Sequence, residues 1–577
     1  MTAEIRQDTL TPSTRSLWWL VLAVSCLYLW GLDNVYMPSN GDEMVYAHIA
    51  RLTAASGHWL PLVSELEDMR NTKPPLLFWQ SLWVTDWGAH WQLWRLRLPS
   101  LMYLCLTCSG MAWVLYQWQR EWRTAAWAVL CLLLSWGTFR YGRPYLTTAP
   151  EMFWYSLAPA WVLVCAARSD GDEPVTRWQD WFAWTCLGLL TGVGLTYKSF
   201  ALVAPVALGV WVMRLGLMPQ RSWAAVGWTT LQTAWMATLA LGVFALWFWL
   251  DPQPQAVWRE FVQRENASKM GSDSAYFSVL LSWRGSGDYL LWPVQNPGLL
   301  FPWVLALAGV GWRHMRTHGV SKPWGLRTGL VVWIVAWCVV FWLPSQRSSR
   351  YVLPLLPAVA MLMALHVNDL KPWVSRMGGA IALVWLAVMG WLAWHAHGVG
   401  VMTAAWLVGV ALTVMGGVVC VWRLWRGGIH PPLGFLCAVA LCLLSLNMVL
   451  HSLASDPYAF QGQPEKRPHA QTVWVNEGFN GAFERLQFLL PGNNRFVPDQ
   501  SKVVALSDGL DATPGTWFVV ARSPLASPLP CEKQGVCERV AVRWDIEQRL
   551  QPGQVHAGNV WRPSEWLWRQ EWLMRVP

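Results

Sequence analysis

The residues of this 577-residue chain best suited to chemistry are polar side chains stranded between long apolar runs. Asp42 and Glu43 follow Ser39–Asn40–Gly41, and Met44, Val45, Ala47, Ile49 and Leu52 continue at helical spacing. Ser39 and Asp42 stand at capping-box spacing, so the segment predicts a helix lying along a membrane surface. Acidic residues in a first turn are stabilised by the helix dipole, and the same dipole keeps a carboxylate ionised and able to act as a base. Spacing admits both roles. Lys73 precedes Pro74–Pro75–Leu76, and proline suits a first helical turn, whose free N–H groups favour an anion. A lysine there fits a phosphate, or it snorkels to the interface. Further polar sets are Arg143 with Thr147–Thr148–Ala149–Pro150–Glu151, then Thr196–Tyr197–Lys198 and Glu265–Asn266–Ala267–Ser268–Lys269. The last is Gln346–Arg347–Ser348–Ser349–Arg350–Tyr351, which leads into Val352–Leu353–Pro354.

The elements that must position these residues are membrane spans. The chain is 54% hydrophobic and 13% charged, whereas a soluble domain is about a quarter charged. Uncharged runs such as Val21 to Leu32, Leu330 to Leu343 and Ala380 to Ala393 recur, and a span needs about 20 mostly apolar residues. Thirteen spans are expected, near 17–32, 96–118, 125–142, 152–167, 178–197, 199–216, 226–250, 290–312, 326–344, 350–367, 376–396, 399–421 and 432–452. No small-residue cleavage site follows the first run, which reads as a signal anchor.

The formal charge of +9 does not point to nucleic acid, because Arg and Lys gather in short loops rather than in a stripe. Arg120 and Arg123, Arg214 and Arg221, Arg313 to Arg327, Lys371 and Arg376, and Arg423 and Arg426 all return to one side. That is the positive-inside pattern. It puts the N-terminus and these loops in the cytoplasm of a bacterial inner membrane, and the polar sets above on the periplasmic face. Arg347 and Arg350 then lie against the bias, which invites an anionic ligand such as a lipid phosphate. An odd number of spans delivers residues 454–577 to the periplasm. Alternating runs and turn signals there predict a small α/β or mostly β domain, separate from a membrane domain over 1–453 whose first outside loop is 33–95. Ten of the twelve cysteines sit in or beside apolar runs, while pairing of Cys531 with Cys537 would require an oxidising compartment.

Taken in order, Gly41–Asp42–Glu43–x–x–Tyr46–Ala47–x–Ile49–Ala50, Gly57–x–Trp59, Lys73–Pro74–Pro75–Leu76, Arg95–Leu96–Arg97–Leu98–Pro99–Ser100, Lys198 and Arg350–Tyr351–x–Leu353–Pro354–x–x–Pro357 resemble the ArnT-like branch of the protein O-mannosyltransferase superfamily. These are GT-C glycosyltransferases, and the match runs across residues 17–360. The resemblance implies an α-helical polytopic GT-C fold and a sugar donor carried on a polyprenyl phosphate. It assigns the essential first-loop aspartate to Asp42 and the phosphate-binding lysine to Lys73, and it groups Tyr351 with Arg350 or Arg347 at the lipid phosphate. Val45, Thr72 and Ala149 depart from the pattern of aminoarabinose transferases, with Glu151 as a substitute acid. The class follows; the sugar and the acceptor do not.

The chemistry expected is displacement of a lipid phosphate at an anomeric carbon, inverting its configuration. Asp42 serves as base with Glu43 in support, and Lys73, Arg143, Lys198, Lys269, Arg347, Arg350 and Tyr351 hold the donor. The partners implied are a polyprenyl-phosphate sugar, a lipid or protein acceptor and membrane lipids. No cofactor is needed. His395 and His397 have no carboxylate or Cys neighbour, so no metal site is expected. Two rival classes are a lipid-sugar flippase or transporter, which predicts charges at mid-membrane, and a surface polysaccharide polymerase or ligase.

Overall fold

The computed structural model describes residues 12–35, 41–66, 69–168, 177–218, 222–267, 286–318, 324–452, 460–462, 467–476, 479–511, 513–524, 526–547 and 553–577. Ser39, which would close the expected capping box, and Lys269 lie outside them.

A helix occupies each of the thirteen expected segments. Leu93–Gln119, Phe200–Leu217, Trp223–Leu250, Pro372–Gly398, Ala404–Arg426 and Pro431–Ser452 are long and apolar enough to cross a membrane. Thr14–Leu29, Trp122–Leu134, Gly298–Gly311, Leu326–Trp342 and Ser349–Leu365 are shorter apolar helices. Thr148–Arg168 and Arg177–Leu195 complete the set. The protein is a multi-pass membrane protein. Large apolar side chains such as Trp223 and Trp249 remain exposed along the spans, as lipid-facing surfaces require, since only backbone groups must be satisfied internally there.

The third expected span, 125–142, is broken. Ser135 leaves helical geometry (ψ 131°) and Trp136–Gly142 restarts as a separate helix. The Ser135 hydroxyl donates back to Cys131 O, at 2.7 Å. Backbone freed at a break is tolerated in a membrane when it finds partners, and here Gly137 N donates to Asn296 O at 2.7 Å.

The C-terminal region is an α/β unit. Strands β1 (Gln461–Gly462), β2 (Thr472–Val475), β3 (Arg495–Pro498), β4 (Trp517–Arg522), β5 (Glu538–Ile546) and β6 (Trp568–Arg575) form one sheet in the order β1-β5-β6-β4-β2-β3. β2 runs parallel to β3 and β4, while β5 and β6 pair antiparallel. Alternation splits its two faces. Phe518 and Val520 point to a core closed by Val503, Leu506 and the Cys531–Cys537 disulfide. Trp517 and Val519 face the opposite way, into a core shared with Phe483 and Leu486 and with Met44, Val45 and Ile49. The C-terminal unit is therefore joined to the helix that carries Asp42 through the segment Phe479–Arg485.

That helix, Gly41–Ser56, forms as expected and is packed inside the protein. Ten of its residues, from Glu43 to Ala54, are buried. The segment that covers it, Phe479–Arg485, comes from the far end of the chain.

Candidate active site

One cavity of about 950 Å3 opens where the helix Gly41–Ser56, the turns around Lys73 and Lys198, the segment Trp258–Asn266 and the stretch 344–353 converge. Its charged lining is Asp42, Glu265 and Asp288 with Lys73, Lys198, Arg347 and Arg350, and Tyr46, Tyr141 and Tyr351 are among the polar residues of the wall. It lies at the end of the helical bundle that carries the C-terminal sheet.

Local bonds hold these groups. Pro75 stands at the N-cap position of the helix Leu76–Val84, and Leu76 N donates to Thr196 O at 3.3 Å, so the Lys73 and Lys198 turns are tied together. The π-helical segment Trp258–Asn266 is fastened to both turns. Asn71 donates its amide and side chain to Glu260 Oε2 at 3.2 and 2.9 Å, and Ser199 Oγ donates to Asn266 Oδ1 at 2.7 Å. Arg347, Arg350 and Tyr351 sit at the entry to Ser349–Leu355, whose first turn is capped by Ser348.

The cations and acids of the cavity are paired. Lys73 Nζ donates to Glu265 Oε1 at 3.0 Å and to Thr72 O at 2.8 Å, with the Tyr46 ring 5.9 Å away. Lys198 Nζ donates to Glu151 Oε2 at 2.8 Å. Arg350 Nη1 donates to Asp42 Oδ2 at 3.2 Å, with 43% and 35% of the two side chains exposed. That pair is open to solvent and exchangeable. Arg347 donates to Pro344 O at 3.0 Å and to Ser286 Oγ, and stacks 4.5 Å from the Trp342 ring centre. Burial, then the nearby Asp42 and Glu265, push the Tyr46 phenol well above its ordinary value, so it stays protonated. Burial alone would raise Asp288. The Ser349 amide and the Gln295, Ser348 and Ser349 side chains outweigh it and hold the carboxyl below its ordinary value.

The adjacent acids Asp42 and Glu43 separate completely. Glu43 is fully buried and points away from the cavity. Its carboxylate accepts from Arg97 Nε at 2.7 Å, Arg97 Nη2 at 2.8 Å and Tyr145 N at 2.8 Å. Arg97 also donates to Leu32 O and Asn34 O. Such a two-point, charge-assisted pair is geometrically specific. Glu43 is thus a structural lock beside Asp42.

Two other expectations change. Glu151 is 1% exposed and stands behind Lys198 rather than in the cavity wall. Its Oε1 has no hydrogen-bond partner. Arg143 does not line the cavity either. It is fully buried, donating to Trp30 O at 2.8 Å and to Asn447 Oδ1 at 3.3 Å, with its guanidinium 4.4 Å from the Phe139 ring centre. It braces the first span against the last, a use that its place in a loop between spans does not reveal. Lys269 is outside the described residues. Sequence reasoning quoted Arg97, Tyr46 and Glu265 within longer runs without giving them separate roles, and it missed Asp288 altogether. The available signal for Asp288 was an acid just before an apolar span.

No family model matches the chain. An undecaprenyl phosphate-alpha-4-amino-4-deoxy-L-arabinose arabinosyl transferase of Pectobacterium carotovorum is 26% identical over 412 residues, 70% of this chain and 68% of the relative. Its counterpart in Pectobacterium atrosepticum is 24% identical over the same shares. The crystal structure of ArnT from Cupriavidus metallidurans bound to undecaprenyl phosphate superposes with a TM-score of 0.57, covering 97% of this chain and 98% of that one at 17% identity. At that identity the likeness establishes a shared fold.

Proposed function

We propose that the chain, an ArnT-like glycosyltransferase of the GT-C superfamily, transfers a sugar from an undecaprenyl phosphate donor to a hydroxyl or phosphate of an acceptor at the periplasmic face. The acceptor is lipid A, another glycolipid or a protein. The observation that carries this reading is the gathering of Asp42 with Lys73, Lys198, Arg347 and Arg350 around one cavity. The relatives' names supply the carrier and its class of sugar, and the clustering of basic residues in the opposite loops supports the periplasmic placement.

In this mechanism the lipid phosphate enters among the four cations and competes for them with their present partners. When Arg350 turns to the phosphate, it releases the Asp42 carboxylate. Asp42 takes the proton of the acceptor O–H as the acceptor oxygen attacks the anomeric carbon. The bond from that carbon to the phosphate oxygen breaks, its electron pair stays on the phosphate, and the configuration inverts. Lys73, Lys198 and Arg347 meet the charge that develops on the leaving group, from positions already fixed by surrounding bonds. Phosphate leaves without a general acid, so one base suffices. Glu43 and Arg97 keep the Asp42 turn in place.

Mass spectrometry of lipid A, other glycolipids and periplasmic proteins from cells with and without the chain tests this. One class should gain a single sugar mass when the chain is present, and should fail to gain it with Asp42→Asn. No change in any class would contradict the proposal.

A further inference from the structure

Among the described residues, the C-terminal domain contributes nothing to the cavity wall, yet it grips the helix on which Asp42 sits. The grip is polar and buried. Glu484, on the segment Phe479–Arg485, is fully buried. Its Oε1 accepts from Arg51 Nε at 2.6 Å, and its Oε2 accepts from Arg51 Nη2 at 3.0 Å and faces His48 Nδ1 at 3.0 Å. His48 is itself fully buried, and its Nε2 accepts the Glu65 amide at 3.3 Å. The ring proton is therefore on Nδ1, directed at Glu484. Phe483 packs edge-on against the same imidazole, with ring centres 5.6 Å apart. Gly481 crosses the helix closely at φ +74°, where a Cβ would come within 3.1 Å of Leu66 and 3.9 Å of Val45 Cα.

The helix Gly41–Ser56 is thus pinned twice. Glu43 binds Arg97 in the span Leu93–Gln119, and His48 and Arg51 bind Glu484 in the C-terminal domain. Asp42 and Arg51 are nine residues apart, or about 13 Å along a helix. One anchor fixes a point on a rod; a second fixes its tilt and its rotation about its own axis. Rotation decides which way the Asp42 carboxylate aims, because neighbouring helical residues point about 100° apart.

We propose that Glu484 is a positioning residue for the transfer reaction. By holding His48 and Arg51 it sets the aim of Asp42, and this is the task of the C-terminal domain in catalysis. The inference rests on the reading of Asp42 as the base.

The test uses the full chain in nanodiscs with a polyprenyl-phosphate sugar and a glycolipid acceptor. Glu484→Gln keeps the side-chain shape and loses the charge. It should lower kcat about 10- to 100-fold, since misplacement of a reacting group by about 1 Å can cost 10². KM for the donor and the affinity for undecaprenyl phosphate should change less than about twofold. Arg51→Met combined with Glu484→Gln should cost no more than Glu484→Gln alone, because the partners act as one unit. Arg51→Lys, which keeps the charge but loses the two-point grip, covers the case in which Glu484→Gln fails to fold, and it too should lower kcat with KM unchanged. Wild-type kcat in the folded variant, or a loss confined to KM, overturns the inference. Asp42→Asn measured in parallel separates the two ideas. If it stays active, the base assignment fails. If it is dead while Glu484→Gln turns over normally, only the positioning role fails.

Discussion

Replacing Glu43 by glutamine separates the two neighbouring acids most sharply. The Glu43 carboxylate accepts three hydrogen bonds of 2.7 to 2.8 Å, two of them from Arg97, and neither side chain is exposed. Glutamine keeps the shape but turns an NH2 group toward a guanidinium and leaves that charge without its counter-ion. Losing one partner of a buried pair costs about 3–5 kcal/mol. Two charge-assisted hydrogen bonds at roughly 1.5–3 kcal/mol each give the same order. Arg97 keeps Leu32 O and Asn34 O at 2.8 and 2.9 Å, which favours the lower figure. A loss of about 3 kcal/mol lowers the folded-to-unfolded ratio about a hundredfold. The assay is thermal unfolding of the purified full chain in detergent, followed by tryptophan fluorescence. Glu43→Gln should unfold at a clearly lower temperature. The double variant Glu43→Leu with Arg97→Met should regain part of the loss, since no unpaired charge remains buried. Unfolding of Glu43→Gln at the wild-type temperature, or a double variant worse than the single, would refute the lock.

Two other outcomes follow from the cavity and the charge pattern. Lys73→Ala, Lys198→Ala and Arg350→Ala should each weaken binding of undecaprenyl phosphate to the purified chain, whereas Arg313→Ala should not; the reverse pattern would favour uptake from the cytoplasmic leaflet by a flippase. A cysteine at the exposed Leu510 should react in intact spheroplasts with a thiol reagent that cannot cross the inner membrane. One at Glu121 should react only after permeabilisation, and labelling of Glu121→Cys from outside would invert the proposed orientation.

The spans were legible because uncharged runs of span length have few other physical uses, and helices fall where those runs do. Asp42 and Lys73 were legible because acid and cation stand at helix starts beside motifs shared with a family. Spacing alone did not separate Asp42 from Glu43; the family resemblance singled out Asp42, and Asp42 is the one that lines the cavity. They are adjacent in the chain, and the choice is made by Arg97, 54 residues away. Arg143 misled for a related reason. A cation beside a polar loop looks available for a phosphate until Trp30 O, Asn447 and Phe139 are seen around it. The acids Glu265 and Asp288 enter the cavity from the π-helical segment Trp258–Asn266 and the four-residue helix Gly287–Leu290, which are too short or too unusual to leave a clear periodic signal. The hold of Glu484 on the Asp42 helix spans more than 430 positions, beyond the reach of any local pattern.

The most direct test of the central claim is sugar transfer by the purified chain in nanodiscs, supplied with undecaprenyl-phosphate-linked sugars, aminoarabinose among them, and a lipid A acceptor. Mass spectrometry would follow the product, and NMR its anomeric configuration. The account predicts transfer of one sugar with inversion, and a fall in rate of about 10² to 10⁴ for Asp42→Asn, the usual range for loss of a general base, with undecaprenyl phosphate still bound. Near-normal turnover by Asp42→Asn, or movement of the lipid between leaflets with no sugar transferred, would contradict it.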